Sequence, residues 1–139
     1  MIRWGSTRAV LPIGQWAFKF SRNEYGARCN RYEADLYHRC RNKPHRRAML
    51  CPVLWCSPSG RLLIARRAAS PLTAAQVDEL NAWDFSAEWD YLPPDDEHPF
   101  EPKPDNWGML DGGLVAVDYA APVLCAGVEQ IVAERQETT

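Results

Sequence analysis

The sequence predicts an α+β fold, with a small antiparallel sheet, one long helix set between its strand pairs, and a separate short hairpin further along. Three observations predict it. Apolar runs come in pairs around turn signals, as in "TRAVLPIGQWAFKFS" and "AMLCPVLWCSPSGRLLIARRA". A helix-length stretch with a 3.6-residue stripe lies between those pairs. Strands and helices do not alternate one for one, so the order is not that of a parallel β-α-β sheet.

The elements follow in order. Two short strands flank Pro12-Ile13-Gly14, with Trp16, Phe18 and Phe20 alternating against Ala17 and Lys19, so Lys19 projects from the face opposite its aromatic neighbours. A helix is expected from about Gly26 to Asn42, with Cys29, Tyr32, Leu36 and Cys40 on one stripe and Pro44 ending it. Met49 to Trp55 and Leu62 to Ala65 then form a hairpin around Ser57-Pro58-Ser59-Gly60. Thr73 and Gln76 form a capping box that opens a short helix carrying Ala75, Val77 and Leu80. The acidic, Pro-rich stretch from Asp84 to Asp105 reads as loop. "WGMLDGGLVAVDY" reads as a second hairpin turning at Asp111-Gly112-Gly113, and a last helix is expected from about Pro122 to Arg135.

At 139 residues the chain is expected to be one domain, and 46% apolar residues with six Trp mark it as globular. No apolar run is long enough to span a membrane, and the N-terminus has no apolar core or cleavage site of a secretory signal. The expected location is the cytoplasm. Cys29, Cys40, Cys51, Cys56 and Cys125 are odd in number and irregular in spacing, which points to reduced thiols. Cys29, His38, Cys40, His45, Cys51 and Cys56 fall within 28 residues but lack the tight pairs of structural zinc sites, so neither zinc nor disulfides are expected.

Charge is divided sharply. Residues 1–67 carry 14 Lys+Arg against three acids, and residues 68–139 carry two basic residues against 15 acids, although the net charge is only -2. Such asymmetry suggests that one half meets polyanions or that the halves face one another.

The most informative stretch is "FEPKPDNWGMLDGGLVAVDYA", which strings Glu101, Lys103, Asn106 and Asp118 around a Gly-rich turn. It resembles the protein kinase catalytic loop, of form H-R-D-x-K-x-x-N, with the hairpin ending in D-F-G. Glu101 stands where that loop has its Asp, Lys103 at the Lys, Asn106 at the metal-binding Asn and Asp118 at the Asp of D-F-G. Upstream, "WAFKF" resembles the V-A-I-K strand, which gives Lys19 a phosphate-binding role. Glu33 in "NRYEADLY" resembles the helix glutamate that pairs with that lysine. Residues Ile64, Ala65, Arg66, Arg67 and Ala68 resemble the strand and linker that hold adenine.

The resemblance implies a kinase-like domain: a basic lobe-like part over 1–67, and an acidic part over 68–139 with a much reduced helical C-terminal lobe. It implies ATP and Mg²⁺ as cofactors, with Lys19, Glu33, Glu101 and Lys103 catalytic and Asn106 and Asp118 on the metal. Phosphoryl transfer asks for positioning and charge compensation, which these residue types supply. The departures are a missing G-x-G-x-x-G loop before Lys19, Glu101 for Asp, and Tyr119-Ala120 for Phe-Gly.

Three functional classes remain open at this level. One is a minimal Mg-ATP-dependent phosphotransferase. The second is an inactive kinase-fold module or inhibitor of mobile-element or phage type, acting on a protein partner. The third is a nucleic-acid-binding or nucleic-acid-mimicking protein. It would use Arg28, Arg31, Arg39, Arg41, Lys43, Arg46 and Arg47 with Tyr32, Tyr37 and His45, or the acidic "DDEHPFEP" stretch with Asp84, Glu88 and Asp90 as a phosphate mimic.

Overall fold

A computed structural model describes residues 1–84, 89, 100–101 and 103–120. Within them the chain is α+β. A five-stranded antiparallel sheet has the order β1-β2-β3-β5-β4, from β1 (Arg3–Trp4), β2 (Arg8–Ile13), β3 (Trp16–Ser21), β4 (Val53–Cys56) and β5 (Leu62–Arg66). A two-stranded hairpin, β6 (Trp107–Leu110) with β7 (Gly113–Ala116), stands apart from it. Helix α1 (Glu24–Arg39) covers one face of the sheet, and α2 (Pro44–Arg47) and α3 (Ala74–Ala82) lie toward the hairpin. Among the described residues no helix is long and apolar enough to cross a membrane.

The first hairpin turns at Gly14-Gln15 rather than around Pro12-Ile13-Gly14, and pairs Lys19 with Val10 and Phe18 with Leu11. Pro12 belongs to β2 rather than to the turn. It sits past the end of β1, which pairs only with Ala9 and Val10, so a residue without an N–H meets β2 where it is a sheet edge. Helix α1 begins at Glu24 rather than Gly26 because the Asn23 side chain accepts from the Gly26 amide at 2.9 Å and caps the first turn. The α-helix stops at Arg39, and Cys40–Asn42 continue as one 3-10 turn. Pro44 does not simply end a helix; it occupies the first turn of α2.

The second apolar run is split. Only Val53–Cys56 is strand in the sheet, whereas Met49 to Cys51 turn to the other hairpin, through Cys51 N to Ala116 O at 2.9 Å and Ala116 N to Met49 O at 2.8 Å. This short crossover ties the two sheets together. The capping box opens α3 as expected, but of Ala75, Val77 and Leu80 only Leu80 is buried. The second hairpin turns on two residues, Asp111 (φ 51°) and Gly112 (φ 86°), and Gly113 is already strand. Two positive φ values in sequence match the right-handed twist of the flanking strands.

The core lies between the C-terminal half of α1, α3 and the β6–β7 hairpin, around Leu36, Met49, Leu50, Leu80 and Tyr119. Trp89, Phe100 and Trp107 pack ring to ring there, at centroid separations of 5.1 and 5.3 Å. Each such aromatic contact contributes about 0.5–1.5 kcal/mol beyond area burial. Most of the Asp84–Asp105 loop, Cys125 and the expected helix from Pro122 to Arg135 lie outside the described residues.

Arg28, Arg39, Arg41 and Lys43 are exposed, but not every residue of the basic run faces water. Arg46 is buried, with its Nε donating to Trp89 O at 2.6 Å and its guanidinium over the Trp89 ring. Arg47 stacks on Tyr37, Arg39 pairs with Asp35 at 2.8 Å, and Arg31 donates to Ser59 O. The sequence places these charges close together along the chain, but folding directs them to different partners.

Candidate functional site

The covered face of the sheet carries two cations. Arg8 on β2 and Lys19 on β3 point under α1, and both are buried. They meet Glu33, which sits mid-helix and is fully enclosed. Arg8 grips its carboxylate as a fork, Nη1 to Oε1 at 2.6 Å and Nη2 to Oε2 at 3.0 Å. Lys19 Nζ donates to the same Oε1 at 3.0 Å, and the Tyr119 amide donates to Oε2 at 2.9 Å. Each carboxylate oxygen thus accepts two hydrogen bonds, which is what a buried charge needs to be tolerated.

Neighbouring groups complete the arrangement. Asn30 accepts from Arg8 at 3.1 Å and donates to the carbonyls of Lys19 and Gly60, which locks β3, the β4–β5 turn and α1 together. Lys19 also donates to Val117 O. Arg8 Nη2 reaches Asp118 Oδ1 at 2.8 Å, so four formal charges, two of each sign, balance within one cluster. Burial alone would raise the Glu33 pKa. The charges of Arg8 and Lys19, with the Arg8 and Tyr119 hydrogen bonds, offset it and hold the group at about 2. Arg8 is held firmly protonated: burial works against its charge, but Glu33 and Asp118 outweigh it.

The structure brings some of the residues singled out in the sequence together and leaves others apart. Lys19 and Glu33 are in direct contact, and Asp118 joins them through Arg8. Asn106 is next to Asp118 at the backbone, since its carbonyl accepts from the amides of Val117 at 2.8 Å and Asp118 at 3.3 Å. Glu101 and Lys103 instead pair with each other at 3.1 Å, with Lys103 well exposed. The Trp107 indole holds the Glu101 carbonyl at 2.9 Å.

Ile64 lies opposite Phe18 on the sheet face away from Lys19, while Ala65 is buried on the covered face. The Arg66 and Arg67 amides donate to Pro52 O and Gln15 O, and the Arg67 guanidinium donates to Gly14 O. Ala69 exchanges two backbone bonds with Met109, at 2.7 and 3.0 Å, so β6 docks directly on the linker. Ala68 packs so close to Gly108 that a Cβ there would lie 2.8 Å from the Ala68 methyl.

No known family model, curated protein or solved structure matches this chain. The chemistry of the site therefore rests on its own geometry. Asp118 is the outlet of the cluster: its side chain is 40% exposed while the three groups behind it are enclosed. Asp118 and the Asn106 side chain are hard oxygen donors of the kind Mg²⁺ takes, and the exposed side of the carboxylate is compatible with such an ion. Among the described residues no three His, Cys, Asp or Glu side chains gather as a metal group. Cys29, Cys40, Cys51 and Cys56 are not disulfide-bonded, and burial pushes Cys29 and Cys51 up to about 11, which leaves them neutral rather than nucleophilic.

Sequence reasoning missed Arg8. A signal was available, because Lys19 faces Val10 in the hairpin and Arg8 lies two residues further along the same face. Asn30, one turn before Glu33 on α1, was missed as well. A separate pocket of about 560 Å³, lined by His45, Met49, Glu79, Trp83 and Leu114 among others, shares no residue with the cluster.

Proposed function

We propose that the chain is a reduced kinase-like domain that binds a nucleotide where Lys19, Glu33 and Asp118 converge. What supports this reading is the buried 3.0 Å contact between Lys19 on β3 and Glu33 on α1, with Asp118 reached through the shared Arg8. That strand-to-helix ion pair is the arrangement the kinase resemblance requires of residues 14 positions apart. In this reading Lys19 and Arg8 compensate phosphate charge, and Glu33 fixes both cations. Asn106 and Asp118 would hold Mg²⁺, whose bound charge neutralises phosphate oxygens. The 64–68 linker would border the adenine, and phosphotransfer would draw on Glu101 and Lys103.

A second reading, an inactive kinase-fold binding module, is favoured by two contacts. Arg8 already neutralises Asp118 and Glu33, and Glu101 is paired with Lys103.

Titration calorimetry with ATP, with Mg²⁺ and with chelator, tests the proposal on the parent, Lys19→Ala and Asp118→Ala. Binding by the parent that strengthens with Mg²⁺ is expected. Lys19→Ala should weaken it in both conditions, and Asp118→Ala should abolish the metal dependence. A folded parent that binds no nucleotide in either condition overturns the reading. Nucleotide binding without ATP turnover would select the inactive module.

A further inference from the structure

The sheet departs from the usual pattern in being apolar on its open face. An antiparallel sheet covered on one side normally sends apolar residues inward and polar ones to water. Here the covered face buries Arg8 and Lys19 among Ala17, Leu63 and Ala65, and the open face, which carries the aromatics, is apolar as well. Partners opposite one another in an antiparallel ladder share a face. Phe18 therefore shares the open face with Leu11 and Ile64, and Trp55 joins them opposite Ile64. Phe20 and Trp4 flank Ala9 on that same face.

These side chains are far more exposed than isolated apolar residues need be. Trp4 is 69%, Trp55 50% and Phe20 41% exposed, and with Leu11 and Ile64 they place an apolar residue on this face of each of the five strands. Formal charge reaches this face at its margins, through Arg66 opposite Trp16 and through the Arg22 guanidinium over the Trp4 ring. A contiguous apolar surface of this kind marks a docking site.

We infer that the open face is the interface of a symmetric homodimer, formed by two copies stacking their sheets face to face. Three features fit a second copy. The middle of the face holds no charge, so pairing it with itself buries no unpaired ion. The strands have 2, 6, 6, 5 and 4 residues, which at about 3.4 Å per residue and about 4.8 Å between strands give a plane on the order of 400 Å². Two such faces, roughened by aromatic side chains, bury roughly 750–1,050 Å² in all, the size of a weak, reversible association rather than an obligate dimer. Sheets stack about 10 Å apart with interdigitated side chains, a spacing that suits Trp and Phe. Phe18, central on the central strand, would then lie near the two-fold axis and meet its own counterpart.

Sedimentation velocity over a wide concentration range tests this, with far-UV circular dichroism and thermal melting to confirm that each variant is folded. The parent should dimerise, and Trp55→Glu and Phe18→Glu should each weaken association at least about tenfold. An equimolar mixture of Phe18→Glu and Phe18→Lys should associate again, because opposite charges would face each other at the axis. A parent that stays monomeric at every concentration overturns the inference, as does dimerisation unaffected by both substitutions. Capture of a monomeric parent by anionic lipid vesicles, lost in Trp55→Glu, would assign the face to a membrane surface instead. None of these outcomes depends on nucleotide binding.

Discussion

Arg8 Nη2 donates to Asp118 Oδ1 at 2.8 Å, joining residues 110 positions apart in the chain. The same guanidinium forks onto Glu33, so one side chain ties the first hairpin, the long helix and the end of the second hairpin together. The two carboxylates it serves differ in burial, and that difference leads to separable predictions.

Removing the enclosed partner should be costly. Glu33→Gln leaves the buried Arg8 and Lys19 with only the part-exposed Asp118 as counter-charge, and breaking a buried pair in this way costs about 3–5 kcal/mol. Urea denaturation should show the loss as a lower midpoint with an unchanged slope.

Removing the exposed partner should be cheap. Asp118→Asn leaves Glu33 in place, and its contact is screened by water, so the expected cost is about 0.5–1 kcal/mol. The same denaturation series checks it. A loss comparable to that of Glu33→Gln would mean that Asp118 is a structural anchor and not the outlet of the cluster.

Acid should act through Glu33. Its folded pKa of about 2 lies below its ordinary value of 4.5, so the unfolded chain binds the extra proton. The stabilisation is in full above about pH 4.5 and is lost as pH falls toward 2. Unfolding free energy measured across that window should fall in the parent, and the Glu33→Gln variant should lack this component of the slope.

Two glycines in left-handed conformations should respond differently to alanine. Gly60 (φ +77°) has the Ala27 carbonyl oxygen 2.2 Å from where a Cβ would stand, whereas Gly14 (φ +58°) has nothing within 4 Å. Gly14→Ala should cost about 1–2 kcal/mol from backbone conformation alone. Gly60→Ala adds a clash with α1 and should cost several-fold more, read as a larger drop in melting temperature.

Local features carried much of this fold into the sequence. The facing of Lys19 away from Phe18 and Phe20 followed from alternation, α3 from the Thr73–Gln76 box, and the second hairpin from the Asp111-Gly112-Gly113 turn. Each depends on residues within a few positions of one another, where propensity and hydrogen bonding act without help from the rest of the chain. The approach of Lys19 to Glu33 was legible as well, because one hairpin strand feeding one helix limits where the two can point.

Tertiary structure decided what depended on distant partners. Whether Arg8 was a surface charge or the centre of a buried cluster turned on Asp118, far along the chain. Arg46 left the basic run for the core because Trp89 offered a carbonyl and a ring. Met49 to Cys51 left the strand they seemed to begin because Ala116 offered backbone partners. That the helix covers the face of Lys19 and leaves the aromatic face open could not be read from alternation: a period of two distinguishes the faces but does not say which one the helix will cover.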